Sequence, residues 1–325
     1  MKRPLSIAFL TALALLAGHA GAQTQNFPAR AIRMVVGFPP GGGTDVVARI
    51  IAPRLSENLG QPVVIDNRPG ATGTVAAGMV AKSPPDGYTL MMGHVSVNAI
   101  APSLFAKLPY DAEKDFAAVT LTASVPHFIV VHPSLPVNSL KELIALAKAR
   151  PGKLSFPSAG NGSTPHLAGE MFESATGINL LHVPYKGTGQ SMQDLIGGYH
   201  QVAFDTLPAS SAYVRARRLR PLAITSERRL ADFPDVPTVG EAGVPGFHMK
   251  TWYGLFAPAA TPAAIVNTLH AETLKAMQAP NTRARLVEVG ADDTVTRTPA
   301  EFAAIVRADI VRYAQIVKAA GLRID

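Results

Sequence analysis

The strongest constraint on the fold is a rhythm. After residue 30, short runs rich in Val, Ile and Leu alternate with longer segments of helical periodicity. Residues 32–38 predict a strand. Residues 44–59 then place Val46, Val47, Ile50, Ile51 and Leu55 on one helical face, and 62–66 predict a second strand. Further strands are predicted at 88–92, 128–131, 153–157, 179–183, 201–204 and 219–225, with helices between them. Strand, helix and strand in succession build parallel sheets flanked by helices, so the fold class is α/β. Helix starts carry their own marks. Ser139-x-x-Glu142 and Thr298-x-x-Glu301 have capping-box spacing, and Thr164-Pro165 and Thr261-Pro262 set a cap hydroxyl before a proline at the first helical position.

With 47% hydrophobic and 16% charged residues, the chain of 325 is globular rather than disordered. Aromatic residues make up only 6%, so its core is mostly Ala, Val, Leu and Ile. The length allows two domains. No repeat, low-complexity tract or long linker divides it, so two domains would share the chain through short crossovers.

Lys2-Arg3, an apolar run of 13 residues over 5–17 and the small residues Ala20-Gly21-Ala22 have the order of a secretory signal peptide, predicted at 1–22 with the mature chain from Gln23. The run is too short for a membrane span, which needs about 20 residues. With no later stretch of that kind and no cysteine for a lipid anchor, the mature protein is expected to be periplasmic and free of the membrane. Loss of Lys2 and Arg3 leaves 28 basic against 23 acidic residues, lowering the formal charge from +7 to +5. Such a field gathers acidic solutes.

Two loops carry the chemistry. Gly37-Phe38-Pro39-Pro40-Gly41-Gly42-Gly43-Thr44-Asp45 follows a strand and opens a helix, so its N–H groups sit where the macrodipole favours an anion. It has neither the Walker Gly-Lys-Ser/Thr nor the G-x-G-x-x-G order. A plain strand-to-helix turn would explain the same glycines. Ser158-Ala159-Gly160-Asn161-Gly162-Ser163-Thr164-Pro165-His166 repeats the arrangement about half a chain later. Two such loops facing one another across a cleft would give a site for an organic acid.

In these residues and others the chain resembles the Bug family, the periplasmic substrate-binding proteins of tripartite tricarboxylate transporters. The marks run in order: Pro28-Ala-Arg-Ala-Ile-Arg-Met-Val-Val36, the two loops, Leu59-Gly-Gln-Pro-Val-Val-Ile-Asp-Asn-Arg-Pro-Gly70, Pro85-Asp-Gly-Tyr-Thr-Leu90, Leu108-Pro-Tyr-Asp111, His182-Val-Pro-Tyr-Lys-Gly187, Asp235-Val-Pro-Thr238 and Glu241-Ala-Gly-Val-Pro-Gly246. The resemblance implies a two-lobed, Venus-flytrap fold of the type II-like periplasmic-binding-protein kind. Residues 27–126 plus 250–325 would form one lobe and 127–249 the other, hinged at 124–126 and 248–251. It further implies that backbone groups of Gly42, Gly43 and Thr44, with those of Gly162, Ser163 and Thr164, hold a ligand carboxylate, partly through water. Ser96 and Asn98 would line the far end, Asn161 would belong to the second loop, and Asp205 would read a ligand amino group or hydroxyl. Phe38 stands where many members carry a smaller or tyrosine-like residue. The implied partners are a small organic acid and membrane permease subunits, with the receptor itself a monomer, no cofactor and no metal.

Two readings stay open for several residues. Asp45 either meets a donor on the ligand or stabilises its own helix start, and His166 either donates to a carboxylate or caps. Trp252 and Tyr253 either wall the ligand or pack between lobes. The run Arg215-x-Arg217-Arg218-x-Arg220 lacks interleaved aromatics and matches no nucleic-acid motif, so it reads as solvated surface or as a docking face for a membrane partner. An enzyme reading, a periplasmic hydrolase of small esters, would rest on Ser163, His166 and Asp205. Their spacing argues against it, since His166 lies three residues along the same helix start as Ser163. No catalytic residue is expected.

Overall fold

The computed structural model describes residues 27–291, 298–319 and 323; the segment read as a signal peptide lies outside them. In chain order the elements are β1 (Ile32–Val36), α1 (Gly43–Leu59), β2 (Val63–Asn67), α2 (Thr74–Ala81), β3 (Thr89–His94), α3 (Ala101–Leu104) and β4 (Phe116–Val131). Then follow α4 (Leu140–Ala149), β5 (Ser155–Ser158), α5 (Thr164–Thr176), β6 (Leu181–Pro184), α6 (Thr188–Ile196), β7 (Val202–Thr206), α7 (Leu207–Arg215) and β8 (Arg220–Ile224). The chain closes with β9 (Lys250–Pro258), α8 (Ala263–Gln278), α9 (Pro280–Glu288) and α10 (Pro299–Ala319).

Every strand expected from the rhythm is present, and all but β4 are displaced by at most two residues at their ends. Two features were not expected. Expected only over 128–131, β4 runs for 16 residues, and β9, which begins within the anticipated 248–251 crossover and continues to Pro258, is matched by no predicted strand. The strands order as β2-β1-β3-β9-β4-β7, with β8 also on β4, and β5 pairs with β6 separately. β1 is parallel to β2 and β3, whereas β9 is antiparallel to both β3 and β4. The long strand changes partners partway: residues from Phe116 to Pro126 face β9, and those from His127 to Val131 face β7 and β8.

One apolar cluster joins α1 and α8 to β1 and β9, through residues such as Ile51, Leu55, Leu255 and Leu269. Another lies under β7, α7 and β8, around Phe128, Leu207 and Phe233. Helix caps largely follow the sequence. Ser139 Oγ accepts from Glu142 N at 3.2 Å, and Thr298 Oγ1 from Glu301 N at 3.2 Å. At α5 the cap is one residue earlier than expected. Ser163 is the N-cap, Thr164 the first helical residue and Pro165 the second, and the Ser163 hydroxyl makes no capping bond. At α8 the cap is one residue later than expected, Pro262 itself being the N-cap. No helix among the described residues is long and apolar enough to cross a membrane.

Candidate functional site

The two loops do face each other. Phe38, Gly42, Gly43 and Thr44 at the start of α1 meet Ser163 and Thr164 at the start of α5 across a cavity of about 20 Å³. That is room for about one water. Asp205 and Thr206 at the end of β7, Thr188 at the start of α6, and His94 and Tyr253 complete the wall. Among the described residues no Lys or Arg lines it.

Polar atoms there are sealed from solvent without partners: Ser163 Oγ, Thr164 Oγ1, Asp205 Oδ2 and Tyr253 OH. Buried polar groups are normally hydrogen-bonded, so four such atoms around one cavity make it the candidate binding surface. The α1 side adds backbone donors, because the first N–H groups of a helix have no acceptor within it.

The second loop is arranged differently from the expectation. Gly162 N donates to His166 Nδ1 at 3.1 Å, Ser163 N to Gly160 O at 3.1 Å, and Thr164 N to Ser96 Oγ at 3.1 Å. These three N–H groups are spent within the protein, and the polar part of the loop's cavity face is the Ser163 and Thr164 hydroxyls. Capping is the role His166 takes, and neither of its ring nitrogens serves Ser163: Nδ1 accepts from Gly162, and Nε2 faces Glu170 Oε1 at 3.5 Å. The Ser-His pairing that a hydrolase needs is therefore not formed.

Other expected residues sit outside the cavity. Asp45 Oδ2 accepts from Gly41 N at 3.0 Å and Arg49 Nε at 2.8 Å, and its Oδ1 accepts from Asn67 Nδ2 at 2.9 Å. Burial alone would raise its pKa, but the hydrogen bonds from Arg49, Gly41 and Asn67 with the Arg49 charge hold it below the ordinary value. It stays ionised and organises the loop. Ser96 and Asn98 lie behind His94, whose N–H donates to Asn98 Oδ1 at 3.2 Å. Asn161 lines an outer chamber of about 810 Å³ that shares Ala159 with the cavity, and its carbonyl accepts from Thr72 Oγ1 at 2.9 Å.

Trp252 and Tyr253 part company, as neighbours on a strand must. Trp252 Nε1 donates to Asp309 Oδ2 at 2.6 Å, and only Tyr253 reaches the cavity. The arginine run is partly absorbed: Arg215 pairs with Asp232 and Glu288, and Arg220 donates to the Leu135 and Val137 carbonyls.

Charge states in and around the cavity are set by burial. Burial first, opposed by hydrogen bonds from Thr206 and Thr188, pushes Asp205 up from 3.8 to about 7. Beside α5, His166 and His182 stack with ring centroids 4.0 Å apart. Burial lowers His166 to about 4, and burial plus the neighbouring His166 lowers His182 to about 3. Both are neutral at pH 7 when folded, while the unfolded chain protonates them near 6.5. Between those values the unfolded state binds more protons, so stability is lost as the pH falls from about 6.5 towards 4. The expected cost between pH 7 and 4.5 is about 2–3 kcal/mol for the buried His166 and less for the half-buried His182, whose ring water partly screens. Urea midpoints at the two pH values should show it, and His182→Gln, with one titrating ring fewer, should flatten the slope.

Known proteins resemble this chain in sequence and fold along nearly its whole described length. The family profile described as tripartite tricarboxylate transporter family receptor matches residues 47–322. BugT of Bordetella pertussis (strain Tohama I) is 38% identical over 319 residues, covering 98% of this chain and 97% of the relative. Among solved structures, Rpa4515 of R. palustris with adipate is 39% identical with a TM-score of 0.88, covering 91% of this chain and 99% of that one. MatC (Rpa3494) from Rhodopseudomonas palustris with bound malate is 35% identical with a TM-score of 0.84, covering 90% and 100%. The periplasmic binding protein BugD is 34% identical with a TM-score of 0.87, covering 91% and 99%. The chain, with its two-lobed periplasmic-binding-protein fold, therefore belongs to the tripartite tricarboxylate transporter receptor family of solute-binding proteins.

Proposed function

We propose that the protein is an exported, non-catalytic receptor that captures a small organic carboxylate between two lobes and hands it to the membrane permease of a tripartite tricarboxylate-type transporter. One observation carries the reading. A cavity bounded by two helix starts holds four buried polar atoms without partners and, among the described residues, no basic side chain. Helix dipoles, N–H groups and hydroxyls suit a carboxylate, and the adipate and malate bound to related proteins are of that class.

In this reading residues 27–126 with 250–325 form one lobe and 127–249 the other. The change of β4's partners between Pro126 and His127, and the start of β9 at Lys250, support hinges at those points. A cavity of about 20 Å³ is smaller than a dicarboxylate, so the lobes open to admit one through the outer chamber. The bonds from Thr72 to Asn161 and from Thr164 to Ser96 run from one lobe to the other. The ligand favours the closed form only by its difference in affinity for the two states.

A thermal-shift screen of mono-, di- and tricarboxylates tests the proposal. At a hundred times its Kd, a cognate acid adds about 2.7 kcal/mol and raises Tm on the order of 5 °C. No shift with any acid, together with turnover of a generic ester, would sink it.

A further inference from the structure

His94 is 6% exposed and stands in the cavity wall between Phe38 and Tyr253, its ring centroid 5.3 Å from each. Ser96 N donates to its Nδ1 at 3.0 Å. An N–H can be received only by an unprotonated nitrogen, so the single proton of the neutral ring sits on Nε2. Burial, with the neighbouring His127 second, lowers its pKa to about 3, so the ring is neutral at pH 7. No described residue accepts from Nε2. The cavity thus contains a neutral donor of fixed tautomer.

We propose that His94 donates its Nε2–H to an oxygen of the bound acid and thereby selects ligands that place an oxygen there over those that place an ammonium or a methyl group. This rests on the receptor reading above. An ammonium opposite an N–H sets two donors against each other, and a methyl leaves the N–H buried without a partner; both are rejected more strongly than a mere loss of contact would be.

The ring is held for this task from three sides. Ser96 N sets the tautomer, Asn98 Oδ1 accepts from the His94 backbone, and Phe38 and Tyr253 flank the ring. Ser96 also accepts from Thr164 N at the start of α5. One residue therefore fixes the donor and receives the opposite helix, so that His94 is aligned where α5 docks.

The test is calorimetric titration of wild type, His94→Leu and His94→Gln with a panel of mono-, di- and tricarboxylates that includes adipate and malate. For the acid that binds wild type best, His94→Leu should lose about 10- to 100-fold, and His94→Gln, which restores an N–H donor, should remain within about 5-fold. Imidazole nitrogen spectra of the wild type should show the Nε2–H tautomer, with that proton moving downfield when the acid is added. Equal affinity in His94→Leu, or an Nδ1–H tautomer, overturns the proposal. Should the leucine variant fail to fold, the wild-type tautomer and its ligand-induced shift decide alone. If no acid binds wild type, the receptor reading itself fails and this proposal falls with it; if acids bind wild type and His94→Leu alike, only this proposal fails.

Discussion

Gly43→Ala should lose about 30- to 100-fold in affinity for the cognate acid while Gly42→Ala stays within about 5-fold of wild type. The two glycines are neighbours, and the difference is steric. A Cβ at Gly43 would stand 2.3 Å from the Tyr253 hydroxyl and 2.8 Å from Thr206 Oγ1. Neither can retreat cheaply, since Tyr253 is 1% exposed and Thr206 4%. The phenol must swing into the cavity or the start of α1 must withdraw, and either change spoils the surface on which a carboxylate would sit. A Cβ at Gly42 meets only ordinary contacts, 3.6 Å to Pro39 O and 3.9 Å to Thr188 Cβ. Calorimetric titration of both variants, with circular dichroism to verify that each folds, checks the contrast. Matching losses would mean that the loop serves through its flexibility and not through the close approach at Gly43.

The second large effect belongs to Asp205. Its carboxyl is 1% exposed, with Oδ1 accepting from Thr206 N at 2.6 Å and Oδ2 without a partner. Burial lifts its pKa from 3.8 to about 7, so between those values the folded state holds a proton that the unfolded state has released. Stability from this group is therefore fully present below about pH 4, falls as the pH rises towards 7 and is flat above. Three units at about 1.4 kcal/mol each put the loss on the order of 4 kcal/mol. Asp205→Asn keeps the shape and an acceptor for Thr206 while removing the charge. It should be more stable than wild type by a few kcal/mol at pH 8 and indistinguishable near pH 4. Urea denaturation of the two proteins at both values measures this. The buried histidines pull the pH dependence in the opposite sense, but they are common to both proteins and cancel in the difference. A variant no more stable than wild type at pH 8 would mean that the carboxylate has found a compensating partner.

Much of the site was legible because its chemistry is local. A strand running into glycines and then a helix fixes where N–H groups point, so the 37–45 loop could be read from spacing, while the family resemblance picked out Gly42, Gly43 and Thr44 within it. Ser163, Thr164 and Asp205 also line the cavity, but by side chains. What sequence spacing does not reveal is which donors are already spent. The bond from Thr164 N to Ser96 Oγ joins residues 68 positions apart, and no local pattern announces it. His94 was missed for a related reason. Its segment also offers Ser96 and Asn98, and only the turn after β3 decides which polar side chain faces inward. The first half of β4 escaped notice because three Ala and a Ser dilute it and Pro126 interrupts it, and β9 because it carries Gly254 and ends at Pro258. Tertiary pairing overrides weak propensity at both places.

The position of β9 also dictates an order of assembly. It lies between β3 and β4, yet Met91 pairs with Phe256, a separation of 256 − 91 = 165 residues. As the chain emerges N-terminus first, β4, β7 and β8 are all available once Ile224 has appeared. The sheet of β1, β2 and β3 must wait for Lys250–Pro258 before its inner edge is covered. Until then two strand edges rich in apolar residues stand open to pairing with another chain. Closing so long a loop is slow, so the half of the molecule made first finishes last, and that interval is when a nascent chain most needs protection from aggregation.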